Sequence, residues 1–194
     1  MGGTLDQLLS EVRLCAVCAA RLPLGPRPIL QMGREARILI IGQAPGSKVH
    51  TSGVPWGDNS GERLREWMEI DEKTFYDAKR VALVAMGFCY PGAGASGDLP
   101  PRPECAPLWH ARLLSHLPER RLTVLVGIYA QAYYLKGRGK TTLTETVRGF
   151  RRHMPRFFPL PHPSWRSTIR VRKNPWFQSE ALPALREEVA KAMR

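Results

Sequence analysis

Hydrophobic positions fall into two kinds of run along this chain. Short, nearly unbroken apolar stretches occur at Ala36–Ile41 (ARILII), Arg80–Ala85 (RVALVA), Leu122–Gly127 (LTVLVG) and Phe157–Leu160, each bounded by turn residues. Strands buried on both faces read this way, because neither side of the pleat meets water. Between them lie segments with helical spacing at Gly61–Met68, Cys105–Leu117 and Tyr129–Leu135. Two further helices flank the set. Leu5, Leu8, Leu9 and Val12 share a face after Thr4, which stands at capping-box spacing from Gln7; Leu182, Leu185, Val189 and Met193 share a face in the segment Ser179–Met193. Alternating strands and helices predict an α/β fold, three-layered α/β/α about a central, mostly parallel four-stranded sheet. Pro91–Pro103 (PGAGASGDLPPRP) has neither period, and its glycines and prolines predict an irregular loop over a functional edge.

A length of 194 residues with 43% hydrophobic content suits one core, so residues 1–194 are expected to form a single domain. Twenty-nine Lys and Arg against 17 Asp and Glu give a formal charge of +12, a field suited to nucleic acid or an anionic membrane. No apolar stretch approaches the roughly 20 residues that span a bilayer, and the opening MGGTLDQLLSEVR lacks the order of a secretion signal. A cytoplasmic protein, monomeric by default, is expected. In that compartment four cysteines point to metal ligation or buried thiols rather than disulfides.

Two loops carry candidate chemistry. The first apolar strand runs into Gly42-Gln43-Ala44-Pro45-Gly46, a tight turn at the carboxyl end of a strand, where open α/β sheets bind ligands. Pro55-Trp56-Gly57-Asp58-Asn59-Ser60-Gly61-Glu62-Arg63-Leu64 follows, and His162-Pro163-Ser164-Trp165-Arg166 comes after the last apolar run. GQAPG resembles motif A of uracil-DNA glycosylases, GQDPYH in family 1, GEAPG in family 4 and GLAPG in family 5. The Pro55–Leu64 segment is similar to PFVGxxGxxL and PFTGDxSGxxL of families 4 and 5. HPSWR resembles motif B, HPSPL or HPA.

The resemblance implies a DNA glycosylase that extrudes a damaged base and hydrolyses its glycosidic bond. Gly42, Ala44, Pro45 and Ser164 would then line the base site, and Trp56 would stack on the base in the place of a family Phe. His162 would donate to the charge developing on uracil O2. Trp165 and Arg166 would fill the gap left in the duplex, and the basic stretch Arg170–Trp176 would meet phosphates. Taken alone, these residues also fit plainer roles: a core Trp, a loop His and a solvated basic loop.

Cys15 and Cys18 form C-x2-C, and Cys89 and Cys105 are spaced C-x15-C, too wide for a typical zinc knuckle. Families 4 and 5 resemble this arrangement, which implies a structural 4Fe-4S cluster held by Cys15, Cys18, Cys89 and Cys105. Zinc is the chemical alternative, and free buried thiols the plainest one.

Two positions depart from the pattern. Ala85 stands where the family has an Asn, four residues before the third cysteine, whose amide reads the uracil edge. Gln43 replaces the family 4 Glu, and an amide can position a water but not deprotonate it. Asp58 is the candidate for the charged role, with helix capping as its other reading. Three readings stay open: uracil excision, excision of a larger deaminated base such as hypoxanthine or xanthine, and a non-catalytic iron-sulfur DNA-binding protein. Gly137-Arg138-Gly139-Lys140-Thr141-Thr142 ends like a phosphate-binding loop, but Tyr134 occupies the position that motif requires to be glycine, so it is rejected.

Overall fold

The computed structural model describes residues 3–118, 121–135 and 141–194, apart from the side chains of Arg166 and Arg170. The rejected glycine-lysine segment therefore lies mostly outside the described residues, as does the Arg166 side chain. In chain order the elements are α1 (Leu5–Arg13), β1 (Ile38–Gly42), α2 (Ser47–Ser52), α3 (Asn59–Met68), α4 (Glu72–Phe75), β2 (Val81–Ala85), β3 (Ala93–Gly94) and β4 (Gly97–Asp98). They continue with α5 (Cys105–Leu114), β5 (Leu122–Val126), α6 (Ile128–Tyr134), α7 (Leu143–Arg148), β6 (Phe157–Leu160), α8 (Trp165–Arg172) and α9 (Leu182–Met193).

All four apolar runs become strands of one sheet, ordered β2-β1-β5-β6 and parallel at every pairing. Side chains alternate between two cores. Ile38, Ile40, Leu83 and Val124 pack with Leu64 and Met68 of α3 and Leu185 and Val189 of α9. Leu39, Ile41, Val84 and Leu125 pack with Leu8 and Val12 of α1 and Trp109 and Leu113 of α5. Helices thus cover both faces, as strands apolar on both sides require. The outer edge of β2 is met by Gln31, which exchanges backbone hydrogen bonds with Leu83 at 3.0 and 2.8 Å. Its side-chain amide also donates to the Phe75 and Val81 carbonyls, so this edge does not offer a free ladder.

Helix α1 starts as its sequence predicts, with Thr4 and Gln7 forming the reciprocal capping box. Two expectations need correction. Pro91–Pro103 is not wholly irregular: β3 and β4 form a small antiparallel hairpin, closed by Leu99 N–H donating to the Gly92 carbonyl at 2.8 Å. The glycines that argued against regular structure are what let the chain turn so tightly. The basic stretch after motif B is not wholly looped: Arg170–Arg172 form the last turn of α8, which starts after Ser164 in extended N-cap geometry and ends before Pro175. Helix α9 begins at Leu182, preceded by a π-helical turn over Phe177–Ala181.

Parallel strands put every carboxyl end on one edge of the sheet. There β1 delivers Gly42, paired in register with Ala85 of β2. At the same carboxyl edge, on the far side of β5, β6 delivers the chain to His162. Among the described residues no helix is long and apolar enough to cross a membrane.

Candidate active site

At that edge lies a cleft of about 480 Å³, open mouth included, lined by Gly42, Gln43, Ala44, Pro45, Trp56, Asp58, Ser60, Ala85 and His162 among others. Segments more than 100 residues apart in sequence therefore converge on one cavity. Hydrogen bonds from Met86 N–H to the Gly42 carbonyl (2.9 Å) and from Gly87 N–H to the Gln43 carbonyl (3.0 Å) extend the sheet pairing into the turn and fix its backbone.

Trp56 sits at the centre. Its φ of 58° is left-handed, a conformation that costs a non-glycine residue about 1–3 kcal/mol and persists only where surroundings impose it. Two glycines impose it here. A Cβ on Gly42 would lie 2.7 Å from the indole Cζ2, so the ring rests directly on the motif A backbone. A Cβ on Gly61 would lie 1.8 Å from the Trp56 carbonyl oxygen, so α3 can approach this loop only with glycine there. The indole also stacks on His162, with ring centroids 5.7 Å apart and planes inclined by 26°. Trp56 therefore joins motif A to motif B, lines the cleft and packs against one core.

Asp58 caps a helix and also lines the cleft. Its Oδ1 accepts from Ser60 N–H and Gly61 N–H, each at 3.0 Å, capping α3. The same side chain lines the cleft and is felt by His162. Burial lowers the His162 pKa from the ordinary imidazole value, with the Asp58 charge opposing it. A neutral His162 at pH 7 follows, keeping one ring N–H as a hydrogen-bond donor.

The motif B loop is held from several sides. Ser167 donates its hydroxyl to the His162 carbonyl. Arg63 of α3 points Nη1 at the Pro163 carbonyl and at Thr168 Oγ1, both at 3.4 Å. Buried Gln131 of α6 donates through Nε2 to the Leu160 and Leu125 carbonyls at 2.8 and 3.2 Å, clamping the ends of β6 and β5. Ser164 makes no side-chain cap for α8. Trp165, at the first position of that helix, is 69% exposed, and Ile169 one turn later is 59% exposed.

Neither Arg63 nor Gln131 was a candidate from sequence, since each matters only through partners distant in the chain. Asp98 on the hairpin was missed as well. Its Oδ2 lies 3.3 Å from where a Cβ on Gly46 would sit, at the rim of the cleft. Partial burial, and then the Asp58 charge, raise its carboxyl above the ordinary value. An acidic residue within the Gly/Pro-rich segment was the available signal.

A second cavity is lined by all four cysteines, with Gly87, Phe88, Arg102 and Trp109 beside them. Cys15 and Cys18 follow α1, Cys89 follows β2 and Cys105 opens α5. Phe88 N–H donates to Cys105 Sγ at 3.4 Å. Burial pushes the Cys105 thiol up to about 12 and raises Cys89 and Cys18 as well, so thiolates here need a cation to compensate them. All four cysteines are unpaired, and among the described residues no three His, Cys, Asp or Glu side chains are grouped to hold a single metal ion.

The family model for the uracil DNA glycosylase superfamily matches residues 31–186, which take in β1, the Pro55–Leu64 segment and motif B. With most of the chain matched and both motif loops meeting in one cleft beside a parallel four-stranded sheet, the chain belongs to the uracil DNA glycosylase superfamily.

Proposed function

We propose that this protein is a DNA-repair glycosylase that hydrolyses the N-glycosidic bond of uracil, or of another deaminated base, after flipping the nucleotide from the helix. The observation that carries this reading is the single cleft shared by motif A, Trp56, Asp58 and His162. In such a site the bond between C1′ and the base nitrogen breaks with its electron pair leaving on the base. Neutral His162 donates a hydrogen bond to the oxygen where that negative charge collects. The Asp58 carboxylate faces the cationic sugar, orients the water that adds to C1′ and accepts its proton. The indole of Trp56 offers a flat apolar wall for the base. Trp165 and Ile169, one turn apart on α8 and both exposed, suit insertion into the stack. The formal charge of +12 suits the DNA backbone.

The cysteine cavity fits a 4Fe-4S cluster. A zinc ion would draw four sulfurs to within about 2.3 Å of one centre. A cluster gives each thiolate its own iron and so suits four cysteines drawn from the C-x2-C and C-x15-C pairs that line one cavity. Cys15, Cys18, Cys89 and Cys105 would hold it, and Phe88 N–H would hydrogen-bond a ligating sulfur. Its contribution would be structural, tying the chain after α1 to the chain after β2. Iron and acid-labile sulfide at about four each per chain are expected; stoichiometric zinc would overturn the assignment.

A second reading has support in two residues. Ala85 and Gln43 lack the amide and carboxylate of the related enzymes, so a protein that binds damaged DNA without cutting it would carry the same substitutions. Purified protein incubated with oligonucleotides containing uracil, hypoxanthine or xanthine, then treated with alkali, separates the readings. Strand scission at one of the bases is expected; intact strands with all three would leave the binding-only reading.

A further inference from the structure

Ala85 stands where the related enzymes read the Watson-Crick edge of the base, and it has nothing to read with. Its methyl group makes no hydrogen bond, and its carbonyl is already engaged by His110 Nε2 at 2.9 Å. His110 is 2% exposed, and burial lowers its pKa to about 4. It is therefore neutral, donating through Nε2 to Ala85 and accepting at Nδ1 from the Tyr134 hydroxyl, 2.6 Å away. Recognition has to come from elsewhere in the cleft.

Five side chains with hydrogen-bonding groups line it: Gln43, Trp56, Asp58, Ser60 and His162. Asp58 is an acceptor only, with one oxygen spent on the α3 cap. Ser60 offers a single hydroxyl, Trp56 a single indole N–H, and neutral His162 one donor and one acceptor that point away from each other across its ring. Gln43 alone carries an acceptor and a donor side by side at the end of one planar group. It follows Gly42, the residue paired in register with Ala85, so its amide starts beside the place of the missing Asn. Among the described residues its amide has no protein partner.

We propose that Gln43 is the specificity-determining residue that reads the flipped base, its Oε1 accepting from the ring N–H and its Nε2 donating to the neighbouring carbonyl. This rests on the glycosylase reading above and deepens it. The ligand class is a base with a ring N–H beside a carbonyl, an edge that uracil and hypoxanthine share. Recognition and chemistry are thereby divided within the cleft: the amide of motif A selects, while Asp58 and His162 act. Orienting water is the other task an amide at this position can perform, and the two tasks leave different kinetic signatures.

The test crosses a substitution with a substrate modification. Wild type and Gln43→Ala are compared in single turnover on oligonucleotides carrying uracil or N3-methyluracil, which lacks the ring N–H. Methylation is expected to slow wild type about 30-fold or more, the scale of a lost paired contact. Gln43→Ala is expected to lose a similar factor on uracil and to be nearly indifferent to methylation. Equal methylation sensitivity in both proteins, or a wild type indifferent to methylation, would overturn the proposal; the first result is the signature of a water-positioning or structural role. A readout independent of cleavage is binding to an oligonucleotide with 2′-fluoro-2′-deoxyuridine, whose fluorine suppresses bond breaking. Wild type is expected to prefer it over an undamaged control of otherwise identical sequence, and Gln43→Ala to lose that preference; a preference unchanged in the variant overturns the proposal. A wild type that binds with this preference but cuts nothing would sink the glycosylase reading while leaving the reader role standing.

Discussion

At the residue scale, Asp58 combines a structural contact with a place in the cleft, and substitution can separate the cap from the proposed chemistry. Asp58 caps α3 through Oδ1 and lines the cleft. Asparagine caps about as well as aspartate but carries no charge, so Asp58→Asn is expected to keep the melting temperature while lowering kcat by about 100-fold or more. Asp58→Ala is expected to lose activity and also about 1 kcal/mol of stability. Wild-type turnover in the Asp58→Asn protein would remove the carboxylate from the mechanism. His110 gives a pH signature. The unfolded chain binds its proton near the ordinary imidazole value of 6.5, the folded chain only near 4. Between those values acid favours unfolding, so stability is complete above about pH 6.5 and falls by about 3 kcal/mol as pH drops to about 4. Burial of His162 acts in the same direction. Urea midpoints at pH 7 and pH 4.5 measure the drop, which His110→Gln is expected to shrink; an undiminished drop in that variant would place its origin elsewhere. The sequence exposed Asp58, His162 and Trp56 because they stand inside spaced motifs. It hid His110, Gln131 and Arg63, whose partners Ala85, Leu160 and Pro163 are brought near only by folding.

At the element scale, the strands were legible because a parallel sheet covered on both faces needs continuous apolar runs, and β6 keeps the predicted bounds. Short elements were not. The helices α2, α4 and α7 have four to six residues, too few for an amphipathic period to emerge. The β3-β4 hairpin is built from the very glycines that argue against a strand. What positions the cleft at this scale is the approach of α3 to the Trp56 loop, and Gly61 sets it. Gly61→Ala would press a methyl group on the Trp56 carbonyl at 1.8 Å, so α3 or the loop must move. A loss of about 3 kcal/mol is expected, seen as a lower melting temperature, together with reduced turnover. Unchanged stability would mean that the two elements are less tightly joined than this geometry requires.

At the scale of the whole molecule, the parallel sheet and its layering followed from the alternation of runs, whereas the strand order came only from the structure and the meeting of two loops 100 residues apart followed only from the family motifs. The positive charge predicts a strongly salt-dependent DNA affinity, weakening at least about tenfold between 50 and 200 mM salt. Affinity independent of salt would contradict a role for the basic surface. The four cysteines join distant parts of the chain at one cavity on the α1 and α5 side of the sheet, and the cleft lies where β1 and β2 end.

The central claim is that motif A and motif B meet to form a working glycosylase site. The most direct measurement is single-turnover cleavage of a uracil-containing oligonucleotide by wild type and His162→Ala, with abasic sites revealed by alkali and binding to abasic DNA followed in parallel. Abasic sites formed by wild type are expected, with the variant slowed by about 100-fold or more while its affinity for abasic DNA is retained. Equal rates in the two proteins, with both folded, would contradict the account.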